Sequence, residues 1–249
     1  MKISILLLAI LIPVWLVSQH EGTITYVETT KFEFDAPEGM EDMFKDMPSS
    51  RSTTKSLIFD QSQSLYSNLE AEDFETEQTI ESDNGQMNFQ IKIDEPDNRY
   101  FNDLTNQKIT RQQEFLGKNF LIQDDLRKYD WKVSTERRKI LDYVCMKATT
   151  VLDTATSVEA WFAPGIAVST GPESYNGLPG VILMIDVNNG QNLIVAKEVN
   201  LDKVDNTLFV KPSKGKKVSR SEFEKIREEK LAEMNAISGG SGVQMIIRH

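Results

Sequence analysis

Apolar and polar residues alternate with a period of two over most of this chain, and the pattern predicts strands. Ile24, Tyr26, Phe32 and Phe34 recur at even spacing across 23–34, the signature of a long half-buried strand. Leu57-Ile58-Phe59 and Leu65-Tyr66 follow, separated by the polar turn Asp60-Gln61-Ser62-Gln63. Further strands are predicted at Met87–Ile93, Arg99–Asn102, Gln107–Leu116, Lys118–Gln123, Lys132–Leu141, Tyr143–Asp153 and Ser157–Phe162. Turns of two to four residues between most of them require antiparallel neighbours, since parallel pairing needs a long crossover. The run Val181–Ile185 is apolar at every position, which predicts a strand covered on both faces. Asp186–Gly190 reverses the chain into Leu193–Val195, and Val199–Leu208 is expected to hold the last strand.

Two segments show helical spacing. Met40, Met43, Phe44 and Met47 predict a short amphipathic helix, its thioethers filling gaps against the sheet in preference to binding a soft metal. Ser219–Ile237 carries an apolar stripe of Phe223, Ile226, Leu231 and Met234, a Ser-x-x-Glu start and a Gly239-Gly240 stop. Between them Leu69–Gln86 holds seven carboxylates without the spacing of a calcium loop, and is expected to be a solvated surface loop. The expected fold is one mainly-β domain over 19–238: a curved antiparallel sheet or half-open β-barrel, similar to lipoprotein carriers, with a C-terminal helix at 219–238. Residues 239–249 form a Gly-rich tail.

Residues 1–18 stand apart. Lys2 precedes an almost wholly apolar run from Ile3 to Val17, too short for a typical spanning helix, which is read as an export signal with a retained anchor as the alternative. Cleavage would leave no integral membrane segment, and the destination would be the periplasm or the outer membrane. A net charge of −10 argues against nucleic acid and anionic membrane surfaces. The one cysteine, Cys145, excludes an internal disulfide and sits in an apolar strand, where burial is expected.

No nucleophile elbow, metal-ligand pair or phosphate loop is present, and no cofactor is expected. The two histidines, His20 and His249, are expected to be terminal and mobile, which disfavours a Ser-His-acid triad. The chain is therefore read as non-enzymatic. A hydrolase would instead need carboxylates clustered in a cleft with split pKa values.

The stretch from Glu159 to Glu198 organises the rest. Its Gly171-Pro172 and Gly177-Leu178-Pro179-Gly180 clusters are expected to be rigid corners, because glycine permits positive φ and proline fixes the next turn. Gly177-Leu178-Pro179-Gly180-Val181-Ile182, with Cys145-Met146-Lys147-Ala148, Ala160-Trp161-Phe162 and Gly171-Pro172, resembles the bacterial GLPGLI family. That resemblance implies an exported protein and makes Trp161, Gly171, Pro172, Gly177, Leu178, Pro179 and Gly180 the candidate ligand or structural positions. The carrier-like half-barrel, similar to lipoprotein carriers at Val181–Ile185, Asp186–Gly190, Leu193–Val195 and Phe209–Pro212, implies a lipid or other hydrophobic ligand on the concave face; the alternative is a structural module that partners an outer-membrane protein complex.

Overall fold

A computed structural model describes residues 20–31, 33–35, 49–69, 74–82, 85–93, 96–238 and 244–246. Twelve strands form one open sheet. In spatial order they are β10 (Lys132–Ile140), β11 (Tyr143–Val151), β12 (Ser157–Ala163), β13 (Val181–Val187), β14 (Asn192–Asn200), β1 (Gly22–Lys31), β3 (Ser50–Phe59), β4 (Gln63–Asn68), β7 (Arg99–Asp103), β8 (Lys108–Phe115), β9 (Lys118–Asp125) and β15 (Lys216–Val218). Every pairing in this sheet is antiparallel except β15 on β9. The expected mainly-β architecture with one C-terminal helix is therefore what the chain adopts.

Connectivity alone forces the sheet to curve. Strands β9 and β10 are consecutive in sequence yet sit ten steps apart in the sheet. Ten steps at the usual inter-strand spacing would separate them by about 48 Å in a flat sheet. The link from Asp125 to Lys132 can span at most about 24 Å. The sheet must bend until its two ends approach, and the link becomes a strap across the gap.

The alternation in β1 is realised: Ile24 and Tyr26 point into the core and are fully buried. This strand, near the start of the described chain, lies between β14 and β3, in the middle of the sheet order. The apolar run expected to be the spine is β13, an interior strand between β12 and β14, with Val181, Ile182, Leu183 and Ile185 at zero exposure. Cys145 is fully buried, and burial pushes its thiol up to about 11, as befits a packed and unreactive group.

Several expectations change. Phe74–Ser82 (β5) and Gly85–Ile93 (β6) pair as a separate two-stranded sheet, where a solvated acidic loop was expected over much of the first. Phe74, Thr76 and Ile80 alternate with Glu75, Glu77 and Glu81, so the period of two was present beneath the acidity. Glu33–Asp35 (β2) pairs with Gln244–Ile246 (β16), within the stretch read as an unassigned tail. The last antiparallel strand of the large sheet ends at Asn200, short of the predicted Leu208. Beyond it Asn206–Leu208 forms a 3-10 turn whose first N–H groups are met by Asp205, with Thr207 N donating to Oδ1 at 2.9 Å. The export segment 1–18, the methionine-rich helix and Gly239-Gly240 lie outside the described residues. Among the described residues no helix is long and apolar enough to cross a membrane.

Helix α1 runs over Arg220–Ser238 and begins in a capping box. Ser219 N donates to Glu222 Oε2 at 2.7 Å, and Glu222 N returns a bond to Ser219 Oγ at 3.2 Å. Phe223 is fully buried against Phe120 and Phe115, with ring centroids 5.2 and 6.2 Å away. The predicted stripe is only half used, because Leu231 and Met234 remain 45% and 47% exposed. The sheet edge offers a small apolar patch of Phe115, Phe120, Ile122 and Val218, and the helix runs past it.

Candidate functional site: a plugged bowl with a charged cluster

Residues 164–180, between β12 and β13, fill the concave side of the sheet. Ile166, Val168, Tyr175 and Leu178 are buried in the main core. Backbone bonds tie the segment to the start of β13, from Val181 N to Ile166 O and from Ile182 N to Thr170 O, both 3.0 Å. Its polar groups are satisfied by the far strands. Thr170 Oγ1 donates to Ser64 Oγ at 2.8 Å, and Asn102 Nδ2 donates to Glu173 O at 3.1 Å. The strap holds it from the other side. Trp131 Nε1 donates to Asn176 O at 2.8 Å, Asn176 Nδ2 donates to Arg127 O at 3.2 Å, and Tyr129 stacks between Trp131 and Tyr175 with centroids 5.4 Å from each. The segment is a plug, clamped between sheet and strap.

The positions singled out in the sequence divide accordingly. Gly180 has φ +152, and a Cβ there would lie 2.2 Å from Ala163 O, so it is a corner that only glycine can turn. Gly177 has φ +90 beside the Trp131 indole. Gly171 is needed for close approach, since a Cβ would meet Ile182 Cβ at 2.8 Å. Leu178 is sunk into the core while Pro179 faces out, and the O of Pro172 accepts from Tyr175 N at 3.1 Å. Trp161 belongs elsewhere. It packs beneath the Arg138 guanidinium, 4.6 Å from the ring centroid, and donates to Glu159 Oε1 at 2.8 Å in a ladder with Lys147.

Chemistry gathers at residues that the sequence reading passed over. Glu173 sits in the plug at φ +52, a left-handed conformation unusual for glutamate. Burial pushes its carboxyl up to about 7, and the negative charge of Glu28 adds to the shift. Arg111, Lys55 and a hydrogen bond with the Tyr100 hydroxyl pull the other way. Glu28 accepts from Tyr66 Oη at 3.2 Å, and Arg111 lies over the Tyr100 ring at 5.7 Å. Burial likewise drives the hydroxyls of Tyr66 and Tyr100 well above their usual range. Five strands of the concave face thus bring one carboxylate, two cations and two phenols to the carboxyl of one plug residue. The legible signal was parity: Glu28 continues Ile24-Tyr26, Lys55 precedes Leu57-Phe59, and Arg111 follows Ile109, so each is an inward position carrying charge.

Several polar atoms of this face have no partner. Asn102 Oδ1, Arg111 Nε, Gln113 Oε1 and Asn192 Oδ1 are all buried and unbonded. Buried groups are nearly always paired, directly or through ordered water, so these four atoms mark polar positions held inside the sheet's inner face. Among the described residues no three His, Cys, Asp or Glu side chains gather to hold a metal ion.

The Glu173 shift has a sign that can be tested. Folded, this carboxyl keeps its proton to about pH 7; in an unfolded chain it loses it near 4.5. Between those values the native state binds more protons, so its contribution is complete below about pH 4.5 and is lost as pH rises to about 7. Glu173→Gln should raise the melting temperature relative to the parent above pH 7, with the difference shrinking towards pH 4.5. Thermal melts of both proteins across that range check this, and a difference independent of pH would refute it.

These features define a class: a mainly-β bowl whose concave face is plugged by its own chain and lined with unpaired polar groups. The chain belongs to the family described as the N-glycanase peptide, N-terminal domain, which it matches over residues 61–223. Two solved structures, described as PNGF-II in the C2 and P21 space groups, are similar at 18% and 16% identity, each with a TM-score of 0.48. The alignment covers 81% of this chain and 32% of each of theirs, so the chain spans about a third of their length. No curated protein matches it.

Family membership overturns two expectations. The GLPGLI resemblance is incorrect: its short Gly-Pro spacings arise because the plug needs a close approach at Gly171 and a sharp corner at Gly180. The lipid-binding expectation drawn from a carrier-like half-barrel goes too, since the chain's own Ile166, Val168 and Leu178 pack into the core on that side of the sheet. The non-enzymatic reading also falls, because the matching family is named for an N-glycanase. It rested on missing linear motifs, and charged groups such as Glu28 and Glu173 meet only through folding.

Proposed function

We propose that this chain acts in N-glycan processing, with the charged cluster of the bowl engaging the glycan-bearing segment of a glycoprotein. What supports the reading is the match to an N-glycanase family over residues 61–223, on a chain whose half-buried Glu28, Arg111 and Glu173 gather into one charged cluster. Carboxylates, amides and a guanidinium offer the mixture of acceptors and donors that sugar hydroxyls need. Glu173 suits such a site because it remains partly protonated near neutral pH and can both donate and accept. Export, expected from the apolar stretch after Lys2, belongs to the same proposal, as glycoproteins of other cells would be met outside.

The test compares an N-glycopeptide with the same peptide after its glycan is removed, using fluorescence anisotropy. The glycopeptide should bind at least about tenfold more tightly, a difference of about 1.4 kcal/mol. Glu28→Ala and Arg111→Lys should each erase most of that preference while the proteins melt cooperatively. Equal binding of the two peptides would sink the reading.

A further inference from the structure

We infer that a pocket between the β3–β4 turn, the β7–β8 turn and the plug is a binding site for a single neutral sugar unit. Its volume is about 310 Å³. That leaves room for one monosaccharide ring at the protein surface. The site rests on the glycan reading only for the choice of probe; its chemistry comes from its walls.

Three walls meet there, and each is fixed by its own hydrogen bonds. Gln61 lies in the β3–β4 turn, where Asp60 Oδ1 accepts from Ser62 N at 2.6 Å and Gln63 N at 2.9 Å. Gln107 lies in the β7–β8 turn at φ +55, its Nε2 donating to Leu104 O at 2.6 Å. The two turns are lashed together by Leu104 N donating to Ser62 O at 2.8 Å. The plug forms the third wall, where Gly177 N donates to Ser169 Oγ at 2.9 Å and Asn176 is anchored by Trp131. Such a cavity is preorganised, so a ligand does not have to order it.

The lining selects by charge. Amides from Gln61, Gln107 and Asn176, the Ser169 hydroxyl and the His20 imidazole face it, and no Asp, Glu, Lys or Arg lines it. His20, expected to be a mobile terminal residue, is half-buried with its Nδ1 buried and unpaired. Leu104 and Val168 add an apolar surface suited to the C–H face of a pyranose. An ionic ligand would lose its hydration and find no countercharge, whereas a ligand with hydroxyl or acetamide groups would exchange water for fixed partners. Gly177 is exposed at this rim, where φ +90 favours glycine, so the Gly-Leu-Pro-Gly corner borders the pocket it helps to shape.

Saturation-transfer NMR on the full chain tests this with N-acetylglucosamine, mannose and galactose as neutral probes and galacturonic acid as the charged one. At least one neutral sugar should give saturable transfer at millimolar concentration, and galacturonic acid none. Ala167→Tyr, which grows into the cavity from an exposed position, should abolish the signal. Gln61→Ala, in an exposed turn, should weaken affinity about tenfold without changing the melt, and stands as the check should the tyrosine variant fail to fold. No transfer from any neutral sugar, transfer that survives Ala167→Tyr in a folded protein, or affinity unchanged in Gln61→Ala would overturn the assignment. Loss of monosaccharide binding with glycopeptide preference intact would sink the cavity alone, and the converse would sink the charged cluster.

Discussion

Gly180→Ala is expected to yield little or no folded protein. The added Cβ would lie 2.2 Å from Ala163 O and 2.6 Å from its carbonyl carbon, and both are backbone atoms at the end of β12. No side-chain rotation relieves that clash, and φ at +152 disfavours any L side chain besides. Relief would require the plug to withdraw from β12, exposing Leu178 and Ile166, so the cost should exceed about 4 kcal/mol. Soluble yield and thermal melts measure it. Gly165→Ala is the matched control, since nothing lies within 4 Å of its new Cβ and φ is not positive, and it should melt with the parent. A Gly180→Ala protein melting within a few degrees of the parent would show that the corner is not what seats the plug.

Phe223→Ala should release the helix from the sheet. The ring is fully buried, wedged between Phe115 and Phe120 and covered by the Arg111 guanidinium at 5.6 Å. Removing a buried phenylalanine costs about 3–5 kcal/mol, and here it removes most of what fastens the helix. Hydrogen exchange should show protection lost across 220–238, with β1 and β13 retaining theirs, because the small cluster around Phe223 is separate from the main core. Leu231→Ala, at a half-exposed position, should change stability by no more than about 0.5 kcal/mol. Uniform loss of protection across sheet and helix would show that the two clusters unfold as one. The coupling matters for the site as well, because Arg111 reaches from the helix aromatic to Tyr100 in the charged cluster.

Strand positions were legible because their information is local. Ile24-Tyr26, Leu57-Phe59 and Val181–Ile185 announce their buried faces through a period of two or an unbroken apolar run. The helix cap is likewise a four-residue event: Ser219 with Glu222 and Ser221 with Glu224 both fit the pattern, and the structure uses the first. Errors arose where one local signal masked another, as when the carboxylates around Phe74–Ser82 hid a strand alternation. They arose again where a short motif was read as ancestry: Gly-Leu-Pro-Gly records a steric requirement at one corner, and unrelated chains can share it.

By itself the sequence determined most strands of the large sheet, the covered faces of Val181–Ile185 and the start of the helix, because each follows from residues a few positions apart. The bend of the sheet, the use of 164–180 as a plug and the meeting of Glu28, Lys55, Tyr66, Tyr100 and Arg111 around Glu173 were decided by tertiary structure alone. Those partners are separated by tens of residues, and each on its own strand is only a polar side chain at an inward position. A short strap between distant strands curls the sheet, the curled sheet makes a hollow, and filling the hollow turns scattered charges into a site.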